Sequence, residues 1–147
     1  MKVETTRFGR VDVPEEKVIT TPHGLLGFPD MRRFCMLQQK KTFPFVWYQS
    51  LDDPAVAFVM IDPWLFKPDY QPDLELAIQA MGWDGDADQA PLECYVIVTI
   101  PRGAPDKMTA NLMGPVVLNP NTREALQIVL SNESYSFKYP LLKQKAA

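Results

Sequence analysis

Apolar and polar residues alternate along much of this chain, with the period of a β-strand. Cys94, Val96, Val98 and Ile100 fall on one side of the stretch Cys94 to Ile100, and Leu126, Ile128 and Leu130 form a second inward stripe within Glu124 to Leu130. Between them, Met108 to Pro120 reads as two short strands broken at Gly114-Pro115. Proline lacks the N–H that a central ladder needs, so Pro115 marks a bend, an edge or a strand start. Gly114 opens backbone angles that a side chain forbids. The rest of the chain is organised around this C-terminal meander.

Upstream, Lys2 to Phe8 alternates as a first strand, Phe8 to Val11 reads as a turn, and Val11 to Val13 resumes the strand. Pro14-Glu15-Glu16 turns the chain into a short strand, Val18 to Thr20. The segment Thr21 to Pro29 holds two glycines and two prolines among apolar side chains. It predicts a rigid loop whose Leu25, Leu26 and Phe28 plug one end of a core. Phe34 to Gln39 and Phe45 to Ser50 read as strands, and Ala55 to Ile61 is apolar on both faces, as in a strand covered on two sides. Leu74, Ala77, Ile78 and Met81 have helical spacing, with Asp73 as N-cap and Gly82 as stop. Pro72 limits this helix to about three turns. Pro101 to Lys107 reads as a hairpin loop, and Tyr135, Phe137 and Tyr139 alternate as a last strand. A disordered tail is expected over 143–147.

Composition sharpens this picture at a few points. Fourteen prolines against seven glycines punctuate the chain and exclude long helices, leaving a β-rich fold with stiff connections. A length of 147 residues suits one domain with a real core. The net charge of −3 supplies no basic field to attract nucleic-acid phosphates. No window approaches the length of a membrane span and no signal sequence is read at the N-terminus, so a cytoplasmic location is expected. Cys35 and Cys94 each sit inside an apolar run and read as small buried hydrophobes.

Candidate chemistry is sparse. His23 is the only histidine, which rules out metal sets built on histidines and leaves Cys35 without a nearby base. Asp84-Gly85-Asp86-Ala87-Asp88 resembles the start of a calcium loop, but Gln89 and Tyr95 stand where glycine and glutamate are needed, so a solvated acidic turn is expected. Gly24-Leu25-Leu26-Gly27 lacks the lysine and the following helix of a phosphate cradle. Arg32-Arg33 and Lys40-Lys41 lie near aromatic residues and read as solvated turn ends. Trp64, Phe66 and Tyr70 either cap the core from a proline-stiffened loop or anchor a partner. Asn111 and Asn119 flank the apolar run of the meander, where asparagine braces turns.

Several segments together resemble the flagellar assembly factor FliW family over nearly the whole chain. They run from Arg7-Phe8-Gly9 through Gly24-Leu25-Leu26-Gly27-Phe28, Pro44-Phe45, Gln49-Ser50 and Ala57-Phe58-Val59 to Lys67-Pro68-Asp69-Tyr70. The strongest part is Thr109-Ala110-Asn111-Leu112, then Gly114 to Asn119, with Gln127-Ile128-Val129-Leu130 downstream. Order and spacing carry the resemblance, and the acidic segment Trp83 to Ala90 lies outside it. The resemblance implies an all-β, mainly antiparallel, compact barrel-like domain over 1–142 with one short helix. It implies a non-enzymatic protein without cofactor, metal, membrane or direct nucleic-acid binding. It also implies a cytoplasmic, chaperone-like partner of flagellin that binds the translational repressor CsrA and relieves its repression of flagellin messenger RNA, with flagellin competing for the factor. The residues expected to meet partners are Trp64, Phe66, Asp69, Tyr70, Asn111 and Asn119. Two alternatives from other classes stand beside this: a small carboxylate-dependent enzyme with Asp69 as its acid, and a β-barrel nucleic-acid binder using Arg32 and Arg33.

Overall fold

A computed structural model describes residues 1–83, 90–131 and 135–142. The acidic turn expected at Asp84 to Asp88 and the tail at 143–147 lie outside the described residues. Strands β1 (Lys2–Thr5) and β2 (Gly9–Asp12) form an antiparallel ribbon of their own. The other strands share one sheet: β3 (Ile19–Thr20), β4 (Arg33–Gln38), β5 (Val46–Ser50), β6 (Ala57–Ile61), β7 (Glu93–Thr99), β8 (Thr109–Ala110), β9 (Val116–Asn119), β10 (Glu124–Gln127) and β11 (Tyr139–Pro140). Within it the order β7-β6-β5-β4-β3-β10-β9 closes on itself, because β9 also pairs with β7. The result is a seven-stranded barrel, antiparallel except where β3 meets β10. Closure removes the free edges that an open sheet would offer to other chains. The all-β, mainly antiparallel, barrel-like expectation is met.

Alternation within the strands divides the apolar residues between two cores. Ile19, Phe34, Tyr48, Met60, Val116, Leu118 and Ala125 come from strands all round the barrel and pack together inside it. Phe34 stacks on Tyr48 at 4.2 Å, and the Tyr48 hydroxyl shares a buried hydrogen bond with Thr21 Oγ1. The opposite faces of β6, β7, β9 and β10 carry Ile61, Cys94, Val96, Val98, Val117 and Leu126. These are covered from outside by Tyr70, Ala77, Trp83, Leu112, Ile128 and Leu130. Helix α1 (Glu75–Met81) belongs to this outer layer and buries Ala77. It ends where Gly82 takes the left-handed conformation, φ 68°, as a glycine stop requires. Its seven residues make about two turns rather than three. Asp73 does assist the start, its carboxylate accepting the Glu75 N–H at 3.2 Å, although Leu74 occupies the cap position itself.

The break in the meander is as expected: β8 ends at Ala110 and β9 starts at Val116, with Gly114-Pro115 between them. Other expectations need correction. The first turn falls at Thr6–Phe8, because Thr5 Oγ1 bonds both Gly9 O and Phe8 N and closes the chain early. Of the loop residues expected to plug the core, only Leu25 is buried; Leu26 is exposed and Phe28 lies across the edge of Phe58 at 5.1 Å. Ile100 lies past the end of β7 and is exposed, unlike Cys94, Val96 and Val98. The alternating aromatics before the C-terminus do not make a long strand: β11 holds only Tyr139 and Pro140, and Phe137 is exposed.

Asp52 is the main polar tie at the other side of the barrel. Its Oδ2 accepts the N–H groups of Arg32 and Arg33 at 2.9 and 3.0 Å, and its Oδ1 meets Arg33 Nε at 3.2 Å. Partial burial pushes this carboxyl up, but the three hydrogen bonds and the guanidinium outweigh that and hold it below the usual carboxylate range. A lowered folded value stabilises the fold above the unfolded carboxylate value of about 3.9 and loses the effect as pH falls through the folded value. The stability deficit of Asp52→Asn relative to the native chain should therefore be constant near neutrality and shrink below about pH 4 in denaturant titrations. A deficit that grew in acid would contradict this role.

Gly24 generates a second expectation. Its φ is +66°, and an added Cβ would sit 2.4 Å from Phe28 O and 2.6 Å from Pro29 Cα. These are backbone atoms and cannot step aside. Gly24→Ala should cost about 3 kcal/mol, visible as a melting temperature lower by roughly 6–12 °C. Gly27, with φ +84° and open space around it, is the control: Gly27→Ala should cost only about 1 kcal/mol. Equal shifts for the two would refute the steric argument.

Candidate partner-binding surface

The segment from Asp62 to Tyr70 leaves β6 and crosses the outer core. Asp62 starts it by accepting the Trp64 N–H on Oδ1 at 2.9 Å, and Pro63 sets the first residue of a 3-10 turn, Pro63–Leu65. The far end is tied back to the start, since Trp64 Nε1 donates to Tyr70 O at 2.9 Å. Tyr70 is the anchor. It is 2 % exposed, its hydroxyl donates to Leu112 O at 2.6 Å, and its ring meets the edge of Tyr135 at 4.8 Å. Burial pushes the Tyr70 hydroxyl well above its ordinary value, so it remains a neutral donor. Phe66 is half-buried and stacks on Tyr139 at 5.7 Å. Lys67 leans over Tyr139 and pairs with Asp69 at 3.3 Å.

The six residues expected to meet partners thus divide by burial. Trp64 is 38 % exposed, the Asp69 side chain is 81 % exposed, and Phe66 shows a part of its ring. Tyr70 and Asn119 are enclosed and offer no surface. Asn111 and Asn119 brace turns through their side-chain carbonyls. Asn111 Oδ1 accepts from Met113 N and Gly114 N at 3.1 and 3.0 Å. Asn119 Oδ1 accepts from Asn121 N and Nδ2 at 2.9 and 3.0 Å. The Tyr70–Leu112 bond joins the two segments, so the meander loop holds the aromatic segment in place.

Leu65 and Leu76 were not among the expected contact residues, yet both are exposed. The signal for Leu76 was present in the helix pattern, because it falls off the stripe formed by Leu74, Ala77, Ile78 and Met81. Leu65 follows Trp64 on a turn in which only Pro63 is buried.

The ingredients of chemistry do not converge. Asp69 faces Lys67 on an open surface, and His23 is exposed. Cys35 and Cys94 are free and buried; burial pushes both thiols up, Cys94 to about 12 with a smaller push from Asp62. Neither is available as a thiolate nucleophile. The Arg33 guanidinium is paired with Asp52, leaving it less suited to nucleic-acid phosphates. Among the described residues no group of three or more histidine, cysteine or acidic side chains could hold a metal, and no helix is long and apolar enough to cross a membrane.

Comparison with known proteins agrees with the barrel and its outer layer. The family model described as FliW protein matches residues 2–141. A flagellar assembly factor FliW of Syntrophus aciditrophicus (strain SB) is 40 % identical over 146 residues, covering 99 % of this chain and 90 % of that one. Another, from Caldanaerobacter subterraneus subsp. tengcongensis, is 37 % identical over 145 residues, covering 98 % and 95 %. A crystal structure of the flagellar assembly factor FliW superposes with a TM-score of 0.87 at 32 % identity, covering 99 % of this chain and all of that one. The match therefore takes in the ribbon, the closed barrel and the aromatic segment alike, and the chain belongs to the FliW family of flagellar assembly factors.

Proposed function

We propose that this protein acts in the cytoplasm during flagellum assembly as a regulatory binding protein that turns over no substrate. It binds the translational repressor CsrA and so relieves repression of flagellin messenger RNA, and it binds flagellin, which competes for it. Family membership supports the flagellar setting. The observation that carries the binding role is the fixed aromatic segment. Trp64 and Leu65 are held outward by a capped turn whose ends are tied together by the Trp64–Tyr70 hydrogen bond. Pre-ordering of this kind lowers the entropy that binding must overcome, and tryptophan is favoured at the energetic centre of interfaces. Trp64, Phe66 and Asp69 make the contact in this reading, and Tyr70, Asn111 and Asn119 position them. The net charge of −3 favours encounter with a basic RNA-binding partner and raises association rates more than affinity.

Titration calorimetry with purified CsrA, repeated with flagellin present, tests the proposal. A complex with a Kd of about 1 μM or tighter is expected, weakened when flagellin is added. Trp64→Ala should weaken it by at least about tenfold, with a modest fall in melting temperature from loss of the Trp64–Tyr70 hydrogen bond. Tyr70→Phe should lower the melting temperature, because Leu112 O loses its donor at a cost of about 1–3 kcal/mol. Absence of any complex with either protein at micromolar concentration would sink the proposal. Trp64→Ala binding as well as the native chain would remove the aromatic segment from it.

A further inference from the structure

A cavity of about 360 Å3 lies away from the aromatic segment, where the ribbon and the following turn cross the barrel. Its apolar walls are Val13, Pro14, Leu37 and Leu118, together with Cys35 and Met36. Four ionisable side chains line it: Lys17, Arg123, Asp12 and Glu93. The acids are engaged. Asp12 faces the Met1 ammonium at 3.5 Å, and Glu93 Oε1 accepts the Tyr95 hydroxyl at 2.6 Å. The bases have no acidic partner: among the described residues neither Lys17 nor Arg123 joins an ion pair.

Arg123 is built into this position. Its backbone takes φ 57°, a left-handed conformation that arginine rarely adopts. That conformation is held by Arg123 N donating to Asn119 O at 2.9 Å and by Thr20 N donating to Arg123 O at 2.8 Å. One guanidinium nitrogen donates to Lys17 O at 3.1 Å, while Nε is enclosed with no partner among the described residues. A buried N–H on a charged group without an acceptor is costly unless something supplies one. The same guanidinium edge is the part of arginine that grips carboxylates.

We propose that this cavity binds a small monocarboxylate with an apolar body, its carboxylate between the Arg123 guanidinium and Lys17 and its carbon chain against Val13, Leu37 and Leu118. A single negative charge fits better than a phosphate dianion, because Asp12 and Glu93 stand beside the two bases. The buried thiol of Cys35 adds an apolar surface and no reactive group.

The test is a 15N NMR titration of the full chain with hexanoate, acetate, inorganic phosphate and hexylamine. Hexanoate should saturate the Arg123 Nε–H resonance with a Kd of about 1 mM or below. It should bind at least about tenfold more tightly than acetate or phosphate, since buried methylenes add affinity. Hexylamine should leave the resonance unmoved. Arg123→Gln and Lys17→Met should each weaken hexanoate by about tenfold, and the lysine variant serves if the arginine variant fails to fold. Failure of hexanoate to saturate, equal binding of hexylamine, or unchanged affinity in Lys17→Met would overturn the site. Phosphate or acetate binding as tightly as hexanoate would overturn the apolar part of the assignment.

Discussion

Barrel closure depends on one edge of β7. Its opposite edge pairs with β6 through Val96, Ile97 and Val98. The edge in question must serve two strands, β9 at Glu93 to Tyr95 and β8 at Val98 and Thr99. Between the Tyr95–Val116 and Val98–Ala110 pairs β7 advances three residues, while the facing chain advances six. The surplus has to leave the ladder. Asn111 N still reaches Ile97 O, after which the chain bends away and returns at Val116. The displaced loop is tied by Ile128 N to Pro115 O and Leu130 N to Met113 O. It therefore forms a floor under the outer core, and Leu112 O in that floor receives the Tyr70 hydroxyl. Closure of the barrel and placement of the aromatic segment are consequences of the same bulge.

This explains which parts of the structure could be read from the sequence. The bulge was legible because it rests on local rules: a proline without an N–H, a glycine before it and an asparagine that accepts two backbone donors. Gly114 shows how tight that arrangement is, since a Cβ there would lie 2.9 Å from Asn111 Nδ2. The return of β9 to β7 was not legible in the same way, because pairing at long sequence separation leaves no periodic mark. Family resemblance supplied the barrel. The alternation of Tyr135, Phe137 and Tyr139 misled for a related reason: Tyr135 packs on Tyr70 outside any strand, and Tyr139 stacks on Phe66 in a strand of only two residues. An aromatic pair facing a shared core and a strand face have the same period over so few residues.

At the surface, sequence reasoning assigned the residues of one segment a single role. Burial separates them. A capped turn pushes Trp64 outward while the same backbone carries Tyr70 into the core. Residue type alone does not distinguish these fates, since both rings are large and amphipathic. Arg123 was missed altogether. Its sequence neighbourhood, Asn119-Pro120-Asn121-Thr122-Arg123, announces a turn but not the positive φ that aims the guanidinium back toward Lys17.

A closed barrel also constrains how binding at one place can affect another. Every barrel strand is held by two neighbours, so a partner cannot add a strand or open the sheet without breaking existing ladders. Large rearrangement is a costly route for communication between surfaces on such a scaffold. Under the proposed function, exclusion between CsrA and flagellin would have overlap of their footprints, or repulsion between them, as its economical physical cause. The loop from Asn111 to Pro115 offers the one short mechanical path, from the β7 edge through Leu112 to Tyr70 and on to the tied turn at Trp64. Loosening that path would disorder the aromatic segment before it disturbed the barrel, because the barrel core of Phe34, Tyr48 and Met60 shares no residue with it. Barrel stability and the order of the aromatic segment are thus carried by different layers that meet at a single hydrogen-bonded tyrosine.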